Sequence, residues 1–416
     1  MVKQWCFSPL DTWFFKEARP FDSVGATQLG TILLPPPTRT VAGAIRTLIG
    51  ETQGINWKKF NAKHKLAEEI GYSDHLGKLR LTGPYLLLND ERLYPVPLIL
   101  LEGKSKNKSE DNSDKENRKP NLPEKSKSVK KKITVKFKSK SKQQPKPPEK
   151  KKVEPEKKSF VYLRPGEAVT CDLGTVRLPM MAQKLEGAKP IEDAWLTATD
   201  FERVLSGEYP KKIIHNKDLF TLENRVGLAL ERKTRTAKEH QLYQNQHIRI
   251  HHDNLLQIGM QVDGIKEKLH PAVKDLIHFG GEGRLAEVSI SEVKRKITSP
   301  VVKGDKHIFL TLLTAANLGK CWLPNDSFKQ DDEQGEIKKV TLKIVSAVLG
   351  KSIREGGWDL VNDKPRPVVS LVPAGSVWFC EVLSGDPTTL QGYKIGIDTE
   401  LGRGELAVGK WKNNKV

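Results

Sequence analysis

Short apolar runs bounded by Gly, Pro, Asn or Asp recur along this chain, and they predict strands more often than helices. The run Met1 to Leu10 has no long apolar stretch and no small-residue cleavage site, so it reads as a strand and not as a signal peptide. Leu79–Leu88 reads as a strand, followed by a turn at Asn89–Arg92 and a returning strand over Leu93–Leu100. Pro95 and Pro97 place that second strand at an edge or bulge. Phe160–Arg164 predicts a strand, and Asp193–Leu205 a helix closed by Gly207. A second unit opens near Phe220. Its strands are Val226–Leu230, Gln246–Ile250, Gln257–Val262, Arg284–Ile290, His307–Leu313, Val340–Val348, Val368–Leu371, Val377–Val382 and Tyr393–Asp398. One helix interrupts them over Pro271–Phe279, with proline in its first turn and Gly280-Gly281 at its end. Antiparallel strands with few helices in both halves predict an α+β fold and exclude a parallel doubly wound sheet.

The clearest helical pattern is Thr38–Gly50, which follows Pro35-Pro36-Pro37. Thr38 suits the N-cap, and Gly50 suits a C-terminal stop. At 100° per residue, Arg39, Gly43, Arg46 and Gly50 fall within about 40° of one line. Val41, Ala44, Ile45 and Leu48 lie opposite. The helix is expected to bury one side and present two arginines flanking a glycine on the other. That face fits either an ordinary solvated surface or a phosphate contact, since glycine admits a close backbone and arginine suits phosphate.

Composition changes this picture in one region. The chain has 416 residues, a length of two or three domains, and a formal charge of +19. Residues 103–158 hold 21 Lys and Arg against 8 Asp and Glu, which is +13 of that total. They include six prolines and only six large apolar residues, so burial cannot offset their chain entropy, and a disordered insertion is expected. A solvated loop and a basic arm attracting phosphate both fit it. The expected units are 1–102 with 159–215, the insertion, and 216–416. No run approaches 18 apolar residues, which excludes a membrane-spanning helix. Cys6, Cys171, Cys321 and Cys380 form no CxxC pair, so zinc ribbons and a disulfide framework are not expected and a reducing cytoplasm fits.

Other segments carry residues that could serve chemistry. Phe279–Val288 contains the glycine-rich turn Gly280-Gly281-Glu282-Gly283-Arg284, whose N–H groups could hold phosphate or simply stop a helix. Glu223–Lys238 carries Arg225 and Arg235 on a strand leading into a basic, threonine-rich loop, a solvated tip or an RNA-contacting arm. Gly404–Lys410 formally matches GxxxxGK. Trp411 stands where the magnesium-binding hydroxyl belongs, and only six residues follow Lys410, so a chance match is expected. His251-His252-Asp253 lacks the further ligands a metal-dependent phosphohydrolase needs. No catalytic residue, metal site or cofactor is expected.

Read in order, Trp5 to Phe21 (with Pro9-Leu10-Asp11-Thr12 and Arg19-Pro20-Phe21), Pro35–Arg46, Glu223–Leu230, Thr234-Arg235-Thr236-Ala237, Leu242-Tyr243 and Gly280–Arg284 carry a resemblance. Together they resemble the RAMP superfamily of CRISPR proteins, and within it the third, Cas5-like subunit of the type III-B effector, the Cmr complex. The resemblance runs end to end apart from the insertion. It implies two ferredoxin-like (RRM-like) modules with antiparallel sheets. It also implies a non-catalytic subunit holding the 5′ repeat-derived handle of the CRISPR RNA, beside the large Cas-ten-type subunit and a RAMP backbone subunit, and meeting target RNA indirectly. Carried over by position, the RNA-binding candidates are Arg39, Gly43, Arg46, Arg225, Arg235, Gly280, Gly281, Gly283 and Arg284. The Lys-rich insertion departs from the family pattern. Two other classes are a RAMP endoribonuclease that processes precursor CRISPR RNA and a non-CRISPR scaffold of tandem RRM-like modules. Residues 1–63 contain no histidine for the first, and no RNP1-like octapeptide supports the second.

Overall fold

The computed structural model describes residues 2–18, 33–104, 158–171, 174–231, 233–271, 275–324, 327–331, 337–359 and 361–411. Among these, two large antiparallel sheets form the framework. The first runs Asp275–His278, Leu285–Glu292, Lys3–Pro9, Leu256–Asp263, Arg80–Leu88 and Glu91–Arg92. The second runs Ser327–Asp331, Ile337–Val348, Val377–Ser384, His307–Leu312 and Leu406–Lys410. Numbered along the chain, the four inner strands of the first sheet stand in the order 4-1-3-2. In the second, with the edge strand Ser327–Asp331 set aside, the other four stand in the same order.

Alternation decides which residues each sheet buries. Trp5 lies opposite Met260, and Phe7 opposite Ile258, all fully buried on one face. Helix Thr38–Thr52 covers this face with Val41, Ile45, Leu48 and Ile49. Each such side chain contributes about 1.5–3 kcal/mol relative to exposure. In the second sheet Ile308, Leu310 and Leu312 join one cluster with Trp378 and Val408. Phe309, Phe379 and Ala407 point the other way, onto Phe201, Val204 and Leu205 of helix Ala198–Leu205. Thr197 caps that helix, its hydroxyl accepting from the Asp200 N–H at 3.3 Å.

Several expectations change. Helix Thr38–Thr52 has Pro37 at its N-cap, because the Thr38 hydroxyl instead accepts from Arg403 Nε at 3.2 Å. The helix runs two residues past Gly50, which is buried where an added Cβ would strike the Trp57 ring. The expected helix over Pro271–Phe279 falls partly outside the described residues, and its remainder is the strand Asp275–His278. Ile277 turns inward there and Leu276 outward, the period of a strand. Helix Ala198–Leu205 starts five residues later than expected, since Ala194–Leu196 is a strand. Tyr393–Asp398 makes only single bridges, Lys394 to Glu405 and Ile397 to Asn317. Leu406–Lys410 is a strand instead, with Lys410 paired to Asp305 at 2.9 Å.

The expected unit boundary at 216 does not follow the sheets. Leu256–Asp263 and Leu285–Glu292 both lie beyond it, yet they flank Lys3–Pro9 in the first sheet. Helix Ala198–Leu205 precedes it and packs on the second sheet. Lys104 and Lys158, expected inside the insertion, are paired ends of the strands Leu100–Lys104 and Lys158–Cys171. Residues 105–157 lie outside the described residues.

Candidate nucleic-acid interface

One end of the first sheet gathers candidates that are far apart in sequence. Beyond Pro9 the chain bridges at Trp13 to Ile248 in a two-stranded ribbon, Phe220–Leu230 with Ala237–Ile250. The register places Glu223 opposite His247 and Arg225 opposite Asn245, with Arg249 opposite Thr221. Side chains two apart share a face, so Glu223, Arg225, His247 and Arg249 meet Asp11 and Thr12 together. Arg225 Nη2 and Arg284 Nη1 each donate to Asp11 Oδ2 at 3.2 Å, and Arg249 Nη1 lies 3.0 Å from Asp11 Oδ1. Glu223 accepts from Arg225 Nε at 2.8 Å and also pairs with Arg249.

The glycine-rich turn supplies Arg284 to this cluster. Gly280 has φ +88° and an ideal Cβ there would sit 2.6 Å from the Phe14 carbonyl oxygen. At Gly281 the same atom would lie 2.8 Å from the Phe14 ring, and the Gly281 N–H donates to the Phe14 carbonyl at 3.0 Å. These two glycines let the turn press against Phe14. Gly283, at φ +63°, faces open space.

Electrostatics follow from this crowding. Partial burial pushes the Asp11 carboxyl up, but the Arg225 and Arg249 hydrogen bonds and charges outweigh it and hold it below the usual range. His247 is buried, stacks on Phe14 at 5.0 Å, and shares a 3.2 Å hydrogen bond with Thr12. Desolvation, then the charges of Arg225 and Arg284, lower its pKa to about 4, so it is neutral at pH 7.

The helix candidates enter a different setting. Arg39 pairs with Asp74 at 3.3 Å and Asp398 at 3.2 Å. Arg46 donates to the Ser73 carbonyl at 3.1 Å, and burial lowers its pKa, with the Arg366 charge adding to the effect. Gly43 is exposed with open space above it. Arg366 pairs with Asp74 and Asp359, while the fully buried Arg403 pairs with Glu355 at 2.6 Å and Asp398 at 2.7 Å. Arg235 is in neither group. It is exposed at the turn of the ribbon, at φ +55°.

The structure thus joins Arg225 and Arg284 in one group with Gly280, Gly281 and Gly283, and Arg39, Gly43 and Arg46 in another. Sequence reasoning missed Asp11 and Arg249 as members of the first and Arg366 and Arg403 as members of the second. Alternation of Glu223 with Arg225 and of His247 with Arg249 was the available signal. Arg19-Pro20-Phe21 lies outside the described residues. His251-His252-Asp253 follows the ribbon, where the His251 N–H donates to the Leu219 carbonyl. No three metal-ligating side chains gather among the described residues.

Two antiparallel sheets of one strand order, few helices, and a cationic junction at a sheet end define an α+β protein of paired sheets. A model of the family described as CRISPR-associated protein (Cas_Cmr3) matches residues 5–411, and the chain belongs to that family. A curated relative, the CRISPR system CMR subunit Cmr3 of Saccharolobus solfataricus, is 22% identical over 191 residues. That alignment covers 44% of this chain and 52% of the relative, so the chain spans about half the length of the curated relative it matches. Similar solved chains come from cryo-EM structures of the type III-B Cmr-beta complex bound to cognate target RNA, with and without AMPPnP. Their identities are 14% and 13%, each with a TM-score of 0.43 and coverage of 90% of this chain and 86% of theirs.

Proposed function

We propose that this chain is a non-catalytic RNA-binding subunit of a type III-B CRISPR ribonucleoprotein effector. It holds the 5′ repeat-derived handle of the CRISPR RNA and bridges the large Cas-ten-type subunit to a RAMP backbone subunit in the cytoplasm. Target RNA is met only through the assembled complex. The 4-1-3-2 order of both sheets supports reading each as a ferredoxin-like module. In the first, a strand stands where the second helix of that motif belongs. In the second, helix Ala198–Leu205 comes from outside the sheet's own span.

The observation that carries the reading is the convergence of Arg225, Arg249 and Arg284 beside a glycine turn. Arginine forks match phosphate oxygens, and the turn lets a backbone approach. Arg39, Gly43 and Arg46 on the helix and Arg235 at the ribbon turn extend the contact surface. The role asks nothing of a cofactor or metal.

The test is to purify the protein from its host and sequence the RNA that comes with it. A constant repeat-derived 5′ end, with the large and backbone subunits present, is the expected result. Metal-dependent cutting of repeat RNA that disappears in His252→Ala would overturn the non-catalytic role.

A further inference from the structure

We infer that Asp11 is an internal stand-in for an RNA phosphate, and that Arg225, Arg249 and Arg284 form one phosphodiester site that it occupies in the free protein. This rests on the RNA-binding reading above and extends it to a single subsite.

Three guanidiniums from three separate segments converge on one carboxylate. Asp11 Oδ2 accepts from Arg225 and Arg284, both at 3.2 Å, and Oδ1 faces Arg249 at 3.0 Å. A carboxylate and a phosphodiester present the same feature to arginine, two oxygens sharing a negative charge. The group is accessible. Asp11 is 48% exposed, and the three arginines are 25–43% exposed. Such solvent-screened pairs contribute little to stability, so exchanging their partner costs little.

The remaining charges hold the fork open. Glu223 grips Arg225 and Arg249 from the ribbon side, opposite His247, and keeps both side chains extended toward Asp11. Glu282 supplies a backbone carbonyl to Arg284 Nε at 3.2 Å. The neutral His247 adds no charge at pH 7. Three guanidiniums against Asp11 and Glu223 leave one net positive charge. If the Asp11 carboxylate swings into solvent, two are presented to an arriving phosphate. Thr12, whose hydroxyl lies 3.5 Å from Arg284 Nη1 and 3.2 Å from His247 Nδ1, stays to orient the site.

The consequence is unusual in sign, because removing a charge from the chain should strengthen binding. Asp11→Asn keeps the shape and removes the competitor. Fluorescence anisotropy would measure binding of two equal-length RNAs, one bearing the repeat-derived handle and one poly(U). Asp11→Asn should bind both about three- to tenfold more tightly, as one extra unit charge at a few ångströms in a solvent-screened site implies. Arg249→Ala should weaken both. A properly folded Asp11→Asn protein with unchanged or weaker affinity overturns the stand-in role. If that variant does not fold, unchanged affinity in Arg249→Ala overturns the site. The two readings fail separately. Tighter binding without any preference for the handle leaves the phosphate site standing and removes the handle role. A handle preference in both proteins, with neither affinity changed by Asp11→Asn, does the reverse. If neither RNA binds wild type or variant, both fall.

Discussion

Two groups of arginines stand on opposite sides of the same question. At the Asp11 end of the first sheet, three guanidiniums face two carboxylates and are open to solvent. Along helix Thr38–Thr52, Arg39, Arg46, Arg366 and Arg403 face Asp74, Asp398, Glu355 and Asp359, and the balance is even. Arg403 has no exposed surface, and its fork ties Thr38 of the helix to Glu355 and Asp398. The first arrangement leaves charge for a ligand. The second commits most of it to the fold and leaves only the partly exposed Arg39 open to a ligand. Residue type is the same in both, and partner count with burial separates them.

The comparison breaks most sharply at Arg403. Arg403→Ala should lower stability by about 3–5 kcal/mol, since it strands buried partners, whereas Arg249→Ala, at a solvent-screened pair, should leave stability nearly unchanged. Urea unfolding of both variants checks this, and equal losses would erase the distinction. Acid gives the next largest effect, and it acts at the Asp11 end. His247 has a folded pKa of about 4, below its ordinary 6.5, so the unfolded chain takes the proton more readily. Its contribution is complete above pH 6.5 and is lost as pH falls toward 4, a change of up to about 3 kcal/mol. A plot of unfolding free energy against pH should show that slope, and His247→Gln should flatten it.

Within the glycine turn, Gly281→Ala should destabilise by about 1–3 kcal/mol by crowding the Phe14 ring. Gly283→Ala meets no neighbour, so only its left-handed backbone is strained, at about 1 kcal/mol. Gly283→Asp should abolish handle retention on a folded protein, by placing charge where phosphate would lie. Thermal melts beside RNA retention separate the two positions. For binding, Arg225→Ala with Arg284→Ala should reduce the log–log salt slope by about two units. Arg39→Ala with Arg46→Ala should reduce it by about one at most, because Arg46 is held by Ser73. Equal slopes would place the helix and the sheet end on the same footing. The smallest effect is expected at the insertion. Lys104 and Lys158 already pair across a ladder, so replacing residues 105–157 with Asn-Gly should shift the melting midpoint by no more than a few degrees. Non-specific RNA binding should weaken, and titration at two salt concentrations would show it.

Much of this molecule is legible locally. Gln257–Val262, His307–Leu313 and Val377–Val382 all became strands, because a six- or seven-residue apolar run, alternating in the first and nearly continuous in the other two, reports burial directly. Helix Thr38–Thr52 was legible from its period, and Val41, Ile45 and Leu48 are buried as that period requires. Three things were not. Leu276-Ile277 in Pro271–Phe279 fits either period over so short a run, and pairing with Leu285–Glu292 decided it. Gly50 lies on the polar line of the helical wheel, yet Trp57 folds back over it. Arg249 looks like any strand arginine until Asp11, more than two hundred residues earlier, is brought against it. In the site, Arg225 and Arg284 were recognised singly, and their shared partner depends on tertiary contacts that no local pattern encodes.

The interleaving of the first sheet bears on how the protein is made. Its central strand Lys3–Pro9 leaves the ribosome well ahead of its two neighbours, Leu256–Asp263 and Leu285–Glu292. At about 5–20 residues per second, the first strand waits roughly 15–60 s for the last of them. During that interval Trp5 and Phe7 have no sheet to enter, and both edges of their strand remain open to other chains. A nascent chain halted before residue 256 therefore exposes an apolar segment with both strand edges unpaired, and holding it soluble falls to whatever shields chains on the ribosome.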